Sequence, residues 1–196
     1  MSGFVVLEGI DGCGKSSVAK AVAKARPKAV LTSEPTDSWM GRAVRRGEGK
    51  ETSPYTDALL FMADRAQHTD EIASMLRKGK LVICDRYYHS TVAYQTASLK
   101  LKGLGDNFGW LLEANTRISL KPDITFLFLI DPETALARIG YRSELSRFER
   151  LDFLKEVQRN YMRLARRDRT IVRMDASASL PLVVERVLAI LKERNL

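Results

Sequence analysis

The segment from Phe4 to Ser17 narrows the possible folds more than any other part of the chain. Phe4-Val5-Val6-Leu7 is a short apolar run, which suits a strand covered on both faces. Gly9-Ile10-Asp11-Gly12-Cys13-Gly14-Lys15-Ser16 follows it and matches G-x-x-x-x-G-K-[ST]. A helical pattern then runs from about Lys15 to Ala25. Strand, glycine-rich turn and helix in that order predict a phosphate-binding loop. Glycines let the backbone curl so that successive N–H groups point at one phosphate. The helix that follows adds its first amides and its dipole. Lys15 is expected to reach the β- and γ-phosphates of ATP and Ser16 to offer a hydroxyl to Mg2+. Gly9, Asp11, Gly12, Cys13, Gly14 and Ser17 complete the expected cradle. The alternative is an ordinary glycine-rich turn, and the flanking strand and helix argue against it. Cys13 stands at a helix entrance, where a thiol pKa can be lowered; the plainer reading is a small residue at a variable loop position.

The rest of the chain alternates short apolar runs with helical patterns. Strands are predicted at Ala29–Leu31, Leu81–Cys84, Ile124–Ile130 and Thr170–Met174. A long helix is predicted from about Pro54 to Leu76, with Ser53 as N-cap, Pro54 at the favoured first position and Gly79 near its end. Asp131-Pro132 caps and starts another. Leu151, Leu154, Val157, Tyr161 and Leu164 step at three or four residues along an amphipathic helix, and a last helix runs from about Leu180 to Arg194. Five strands separated by helices predict an α/β fold with a five-stranded, mostly parallel sheet. Such sheets bind ligands beyond the carboxyl ends of their strands, where the polar motifs of this sequence fall.

With 196 residues, 45% of them apolar, the chain suits a single domain with a real core. No apolar run approaches a membrane span, and the immediate entry into a strand leaves no room for a signal peptide, so a cytoplasmic location is expected. Cys13 and Cys84 lie far apart, which argues against a disulfide framework, and His68 and His89 form no zinc-ligand spacing with them. The formal net charge of +8 suggests anionic partners. Several arginines between Arg142 and Arg169 fall at helical spacing and are expected to be ordinary surface charge.

At the end of the third strand stands Asp85-Arg86-Tyr87. A carboxylate there can serve a magnesium ion directly or through water, and an arginine beside it can clamp a phosphate. Around these residues the sequence closely resembles the thymidylate kinase family. The matching pieces are Leu-Glu-Gly-Ile-Asp-Gly-Cys-Gly-Lys-Ser-Ser (7–17), Ser-Glu-Pro-Thr (33–36), Leu-Leu-Phe-Met-Ala-Asp-Arg-Ala-Gln-His (59–68), Asp-Arg-Tyr-Tyr-His-Ser-Thr-Val-Ala-Tyr-Gln (85–95), Pro-Asp-Ile-Thr-Phe-Leu-Phe-Leu-Ile-Asp-Pro-Glu-Thr-Ala-Leu (122–136) and Ser-Arg-Phe-Glu (146–149).

The resemblance implies a P-loop kinase that transfers the γ-phosphate of Mg-ATP to dTMP, giving dTDP and ADP for dTTP synthesis. It implies that Asp11 approaches the sugar and phosphate end of the acceptor, that Glu34 and Pro35 lie beside it, and that Phe61 stacks on thymine. Arg65 would donate to the base O4, a contact that cytosine's amino group could not accept. Arg86 would hold the acceptor phosphate and Asp85 would serve Mg2+. Ser90, Tyr94 and Gln95 would line the pocket, with Tyr94 disfavouring a ribose 2′-hydroxyl. Arg42, Arg45 and Arg46 are all candidates for a further phosphate contact, with Arg45 placed in the site. From the residues alone, Phe61 could be core and Arg65 could pair with Asp64 or Asp70.

Residues from about 138 to 149 resemble the family's mobile lid. Some members carry a catalytic arginine in the phosphate loop; this sequence has Gly12 there, and Arg142 and Arg147 match the pattern that places the arginines in the lid, with Arg138 a third candidate. Ser146 stands where aspartate is frequent. The family's homodimer is expected, with the helix near 54–76 as one candidate face. A kinase for another monophosphate, deoxyuridylate included, is the nearest alternative. An ATP-dependent nucleic-acid switch is the more distant one. Nucleic acid is not expected as a partner, because there is no recognised module and Trp39 and Trp110 are not interleaved with basic residues. The glycine- and lysine-rich segment from Lys100 to Asn107 receives no functional account from sequence.

Overall fold

A computed structural model describes residues 2–48, 50–140 and 150–196. Five strands form one sheet: β1 (Gly3–Gly9), β2 (Val30–Ser33), β3 (Leu81–Asp85), β4 (Ile124–Leu129) and β5 (Ile171–Asp175), in the order β2-β3-β1-β4-β5. Every pairing is parallel. The three central strands are apolar and buried along nearly their whole length, as strands covered on both faces must be. Val6, Leu7, Ile83, Phe126 and Phe128 have essentially no exposed surface. Each such side chain contributes roughly 1.5–3 kcal/mol of burial.

The helices are α1 (Lys15–Ala25), α2 (Trp39–Glu48), α3 (Pro54–Arg77), α4 (Tyr88–Leu101), α5 (Phe108–Ile118), α6 (Pro132–Ile139), α7 (Leu151–Ala165) and α8 (Leu180–Glu193). Of these, α1 and α8 pack together on one face of the sheet, while α3, α4 and α7 pack on the other, with α5 against α3 and α4. The expected caps are present. Ser53 Oγ accepts from Tyr55 N ahead of Pro54, and Asp131 Oδ2 accepts from Thr134 N.

Register decides where the chemistry sits. Leu7 lies opposite Asp85, and Ser33 lies opposite Asp85 on its other side. The segments that follow β1, β2 and β3 therefore leave the sheet at one level and meet there.

The structure departs from the expected elements in instructive places. β2 runs through Thr32 and Ser33 instead of starting at Ala29, because an edge strand alternates half-buried and exposed residues and needs no apolar run. Helices α2, α4 and α5 were not among the expected elements, and of these α4 carries no helical period. α4 is buried on nearly all sides and carries Ser90, Thr91, Val92 and Thr96, so it has no polar face to mark a period. The segment 100–107 ties α4 to α7. Lys100 Nζ donates to Glu156 Oε1 at 2.7 Å, and Arg163 donates to both Asp106 oxygens at 3.1 and 2.9 Å. Arg159 also pairs with Glu156, so part of the basic excess on α7 is used within the fold.

Candidate active site

The phosphate loop is held by glycine geometry. Gly12 (φ +80°) and Gly14 (φ +86°) both occupy the left-handed region. A Cβ on Gly14 would meet nothing, so only conformation demands glycine there. A Cβ on Gly12 would overlap the carbonyl of Ala135 in α6, so conformation and space both demand it. Among the described residues, the N–H groups of Gly12, Gly14, Lys15 and Ser16 have no acceptor, while the helix ladder begins at Ser17 N and Val18 N on Gly14 O. These free amides at the start of α1 are what an anion would occupy. Cys13 is buried, in keeping with a small filler residue.

Beside the loop, Asp11, Arg86 and Tyr94 interlock. Arg86 Nη2 donates to Asp11 Oδ1, and its Nη1 donates to Ser90 Oγ at 3.1 Å. Tyr94 OH donates to Asp11 Oδ2 at 2.8 Å and accepts from Asp11 N at 3.0 Å. Lys15 Nζ lies 3.7 Å from Asp11 Oδ1. Burial would push the Asp11 carboxyl up, but Arg86, Lys15 and Tyr94 together hold it well below the ordinary carboxylate range. Its side chain is 34% exposed, so solvent screens part of that attraction. Burial raises the Tyr94 hydroxyl well above its ordinary value, so it remains a donor at neutral pH. Two cations thus face one carboxylate at the mouth of the loop, leaving a net positive site for phosphate.

Arg86 itself has φ +71°, an uncommon conformation for a residue with a side chain. It lies between Asp85, the last residue of β3, and the first turn of α4, and its N–H is fixed by Leu7 O at 2.9 Å.

A second cluster lies on α3. Arg65 is 1% exposed. Its Nε and Nη2 donate to Glu34 Oε2 at 2.8 and 2.5 Å, and its Nη1 donates to Asn115 Oδ1 at 2.6 Å. Its partners are therefore Glu34 and Asn115, not Asp64 or Asp70. Asp64 instead accepts from Thr36 N, Thr36 Oγ1 and Ser38 Oγ, holding the turn after the cis Glu34-Pro35 bond. His68 Nδ1 lies 3.0 Å from Glu34 Oε1. Phe61 is half-buried one helical turn before Arg65, on the same side of α3. Gln95 is buried, and its Oε1 has no partner among the described residues.

Of the three arginines on α2, Arg45 spans the carbonyls of Pro35 and Thr36, each at 2.6 Å, and reaches Asp37. Arg42 holds the Asp37 carbonyl at 2.6 Å and Arg46 is exposed. Arg45 is therefore the one built into the Glu34-Pro35 segment.

Asp85 and Ser16 border one cavity of about 530 Å³, together with Lys20, Asp37 and Glu71. Asp85 Oδ1 is buried without a hydrogen-bond partner among the described residues. A buried orphan carboxylate oxygen across a cavity from a serine hydroxyl suits a hard cation. One carboxylate and one hydroxyl leave most of its coordination to phosphate oxygens and water, the usual arrangement for Mg2+.

The sequence model of the thymidylate kinase family matches residues 7–187, which takes in every one of these side chains. The chain belongs to the thymidylate kinase family. It is 41% identical over 191 residues to a probable thymidylate kinase of Methanocaldococcus jannaschii, covering 96% of this chain and 95% of that one. It is 39% identical over 168 residues to a probable thymidylate kinase of Methanococcoides burtonii, covering 84% and 83%. A probable thymidylate kinase of Pyrococcus abyssi is 37% identical over 206 residues, covering 98% and 97%.

At Gly12 the Ala135 carbonyl leaves no room for a side chain. Arg142 and Arg147, which the resemblance places in a lid, lie outside the described residues. Arg138 is described, at the end of α6, with its Nη1 3.4 Å from Ala176 O. Sequence reasoning missed Asn115, His68, Asp64 and Glu8. Glu8, Asp64 and His68 lay inside the matching pieces 7–17 and 59–68 without being given a role in the site, and Asn115 showed only as a polar residue inside a helix.

Proposed function

We propose that this chain is a thymidylate kinase that moves the γ-phosphate of ATP to dTMP, yielding dTDP and ADP. The observation that carries this reading is the single level at which three elements meet. The free amides of the phosphate loop, the Arg86–Asp11–Tyr94 cluster and Arg65, held by Glu34, all lie at the carboxyl ends of β1, β2 and β3.

The chemistry asked of the protein is alignment and charge neutralisation. An ionised oxygen of the dTMP phosphate attacks the γ-phosphorus while the bond from that phosphorus to the β–γ bridging oxygen breaks. No side chain need remove a proton. The loop amides and Lys15 hold the β- and γ-phosphates. Arg86 leaves its contact with Asp11 to hold the acceptor phosphate, and Asp11 is then free to receive the sugar end. Arg65, aimed by Glu34 and Asn115, offers its remaining N–H groups to O4 of thymine, while Phe61 stacks on the ring. Tyr94 closes the side of the sugar that a 2′-hydroxyl would occupy.

Ser16 and Asp85 would hold Mg2+, which when bound offsets charge on the β- and γ-phosphates. Arg142 and Arg147 are assigned from sequence to the charge on the transferring group. Loss of either is expected to lower kcat on the order of 10²-fold, the scale of one missing transition-state cation.

We also read the protein as a cytoplasmic homodimer. Tyr55 and Leu59 on α3 and Trp110 on α5 are exposed, with Tyr55 and Trp110 edge to face at 6.0 Å. No described helix is long and apolar enough to cross a membrane.

The deciding experiment is ADP release and product chromatography with Mg-ATP and a panel of dTMP, deoxyuridylate, uridylate, deoxycytidylate, adenylate and thymidine. Strong preference for dTMP is the expected result. Transfer to another monophosphate would keep the phosphate chemistry and discard the Phe61/Arg65/Tyr94 pocket. No transfer from folded, ATP-binding protein would discard the kinase reading.

A further inference from the structure

Glu8 is an acid in the middle of the core, with no exposed surface, on the most buried strand of the sheet. It has no arginine or lysine in direct contact among the described residues; its two oxygens are satisfied almost entirely by one short stretch of chain. Oε1 accepts from Tyr87 N at 2.7 Å and from Ser90 N at 3.2 Å. Oε2 accepts from Ser90 Oγ at 2.6 Å and from Tyr161 OH of α7 at 2.8 Å. His89 Nδ1 lies 3.6 Å from Oε1, too far for a hydrogen bond. Tyr87 is the N-cap of α4 and Ser90 its third residue, and α4 has no cap from its own side chains. The two amides that a capping box would satisfy locally are here both bound by one oxygen from β1. Burial alone would raise this carboxyl, but His89, Ser90 and Arg86 outweigh it and keep it ionised at the positive end of the helix.

Arg86 lies immediately before this clamped turn. A left-handed φ on an arginine persists only where its surroundings over-determine it. Leu7 O holds its N–H, Glu8 fixes the next residue's N–H, and Ser90 Oγ, donating to Glu8, accepts from Arg86 Nη1. Tyr161 OH lies 2.9 Å from the same Ser90 Oγ. We infer that Glu8, steadied by Tyr161, is a positioning residue that sets the backbone and side chain of Arg86 for the acceptor phosphate. This rests on the reading of Arg86 as the phosphate clamp.

The test is a double-mutant cycle on kcat/KM for dTMP, pairing Glu8→Gln and Tyr161→Phe each with Arg86→Ala. Glutamine cannot accept all four donors, and phenylalanine removes one hydroxyl while keeping the ring. In the Arg86 background, Glu8→Gln is expected to lower kcat/KM about 10²-fold and Tyr161→Phe about tenfold, as displaced catalytic groups do, with KM for ATP unchanged. In the Arg86→Ala background each should cost less than about threefold, because residues acting through a shared partner are not additive. Equal losses in both backgrounds would make Glu8 a fold residue only and overturn the inference. If Glu8→Gln does not fold, Tyr161→Phe decides alone by the same criterion. If Arg86→Ala is fully active, the clamp reading has failed and this inference with it. A crippled Arg86→Ala with additive losses removes the positioning role alone.

Discussion

A guanidinium taken out of water costs several kcal/mol unless its donors are met, and Arg65 meets that demand with Glu34 and Asn115. Three of its five N–H groups are engaged, so the arginine is held in one orientation. Asn115→Ala should therefore do two things. Stranding Arg65 Nη1 should lower stability by about 1–3 kcal/mol, seen as a lower Tm. Freeing the guanidinium should also reduce the preference for dTMP over deoxycytidylate in competition assays. A lower Tm with selectivity intact would mean that Asn115 supports the fold alone. Phe61, Arg65, Arg86 and Tyr94 were singled out in the sequence through the family's motifs. Asn115 and Glu8 were not, because each is defined by a partner 50 or 79 residues away and looks locally like any polar residue in a helix or strand.

At the scale of elements, the loop and the central strands were the readable part. Glycine spacing and apolar runs report local geometry directly. Helix α4 was not readable, since its partners surround it. The loop itself allows a graded expectation. Gly14→Ala should cost only the left-handed strain, roughly 1–2 kcal/mol, and keep measurable nucleotide binding. Gly12→Ala adds a clash with a backbone carbonyl that cannot rotate away. It should weaken ATP binding far more than Gly14→Ala in calorimetric titrations. Equal effects of the two would show that the contact with α6 is easily relieved.

Across the whole molecule, the perturbed groups define a pH window. The carboxyls of Glu8, Asp11, Glu156 and Asp168 are held below their ordinary values, by hydrogen bonds and nearby cations that outweigh burial. The folded state thus binds fewer protons than the unfolded one near pH 4, and stability should fall on acidification through and below that point. Burial raises the hydroxyls of Tyr87, Tyr88, Tyr94 and Tyr161. The unfolded chain then loses those protons first, so stability should also fall as pH rises above about 10. Calorimetric Tm should be flat between about pH 6 and 9 and decline on both sides; an acid limb that starts near neutrality would contradict these assignments.

The pairing of Leu7 with Asp85 across the sheet has one more consequence. The contacts that join Glu8 to Tyr87 and Asp11 to Arg86 and Tyr94 each close a loop of more than seventy residues, so nothing local brings the two halves of the site together in advance. On dilution from denaturant, recovery of nucleotide binding should therefore follow the same rate constant as burial of the central strands, with no earlier binding-competent species.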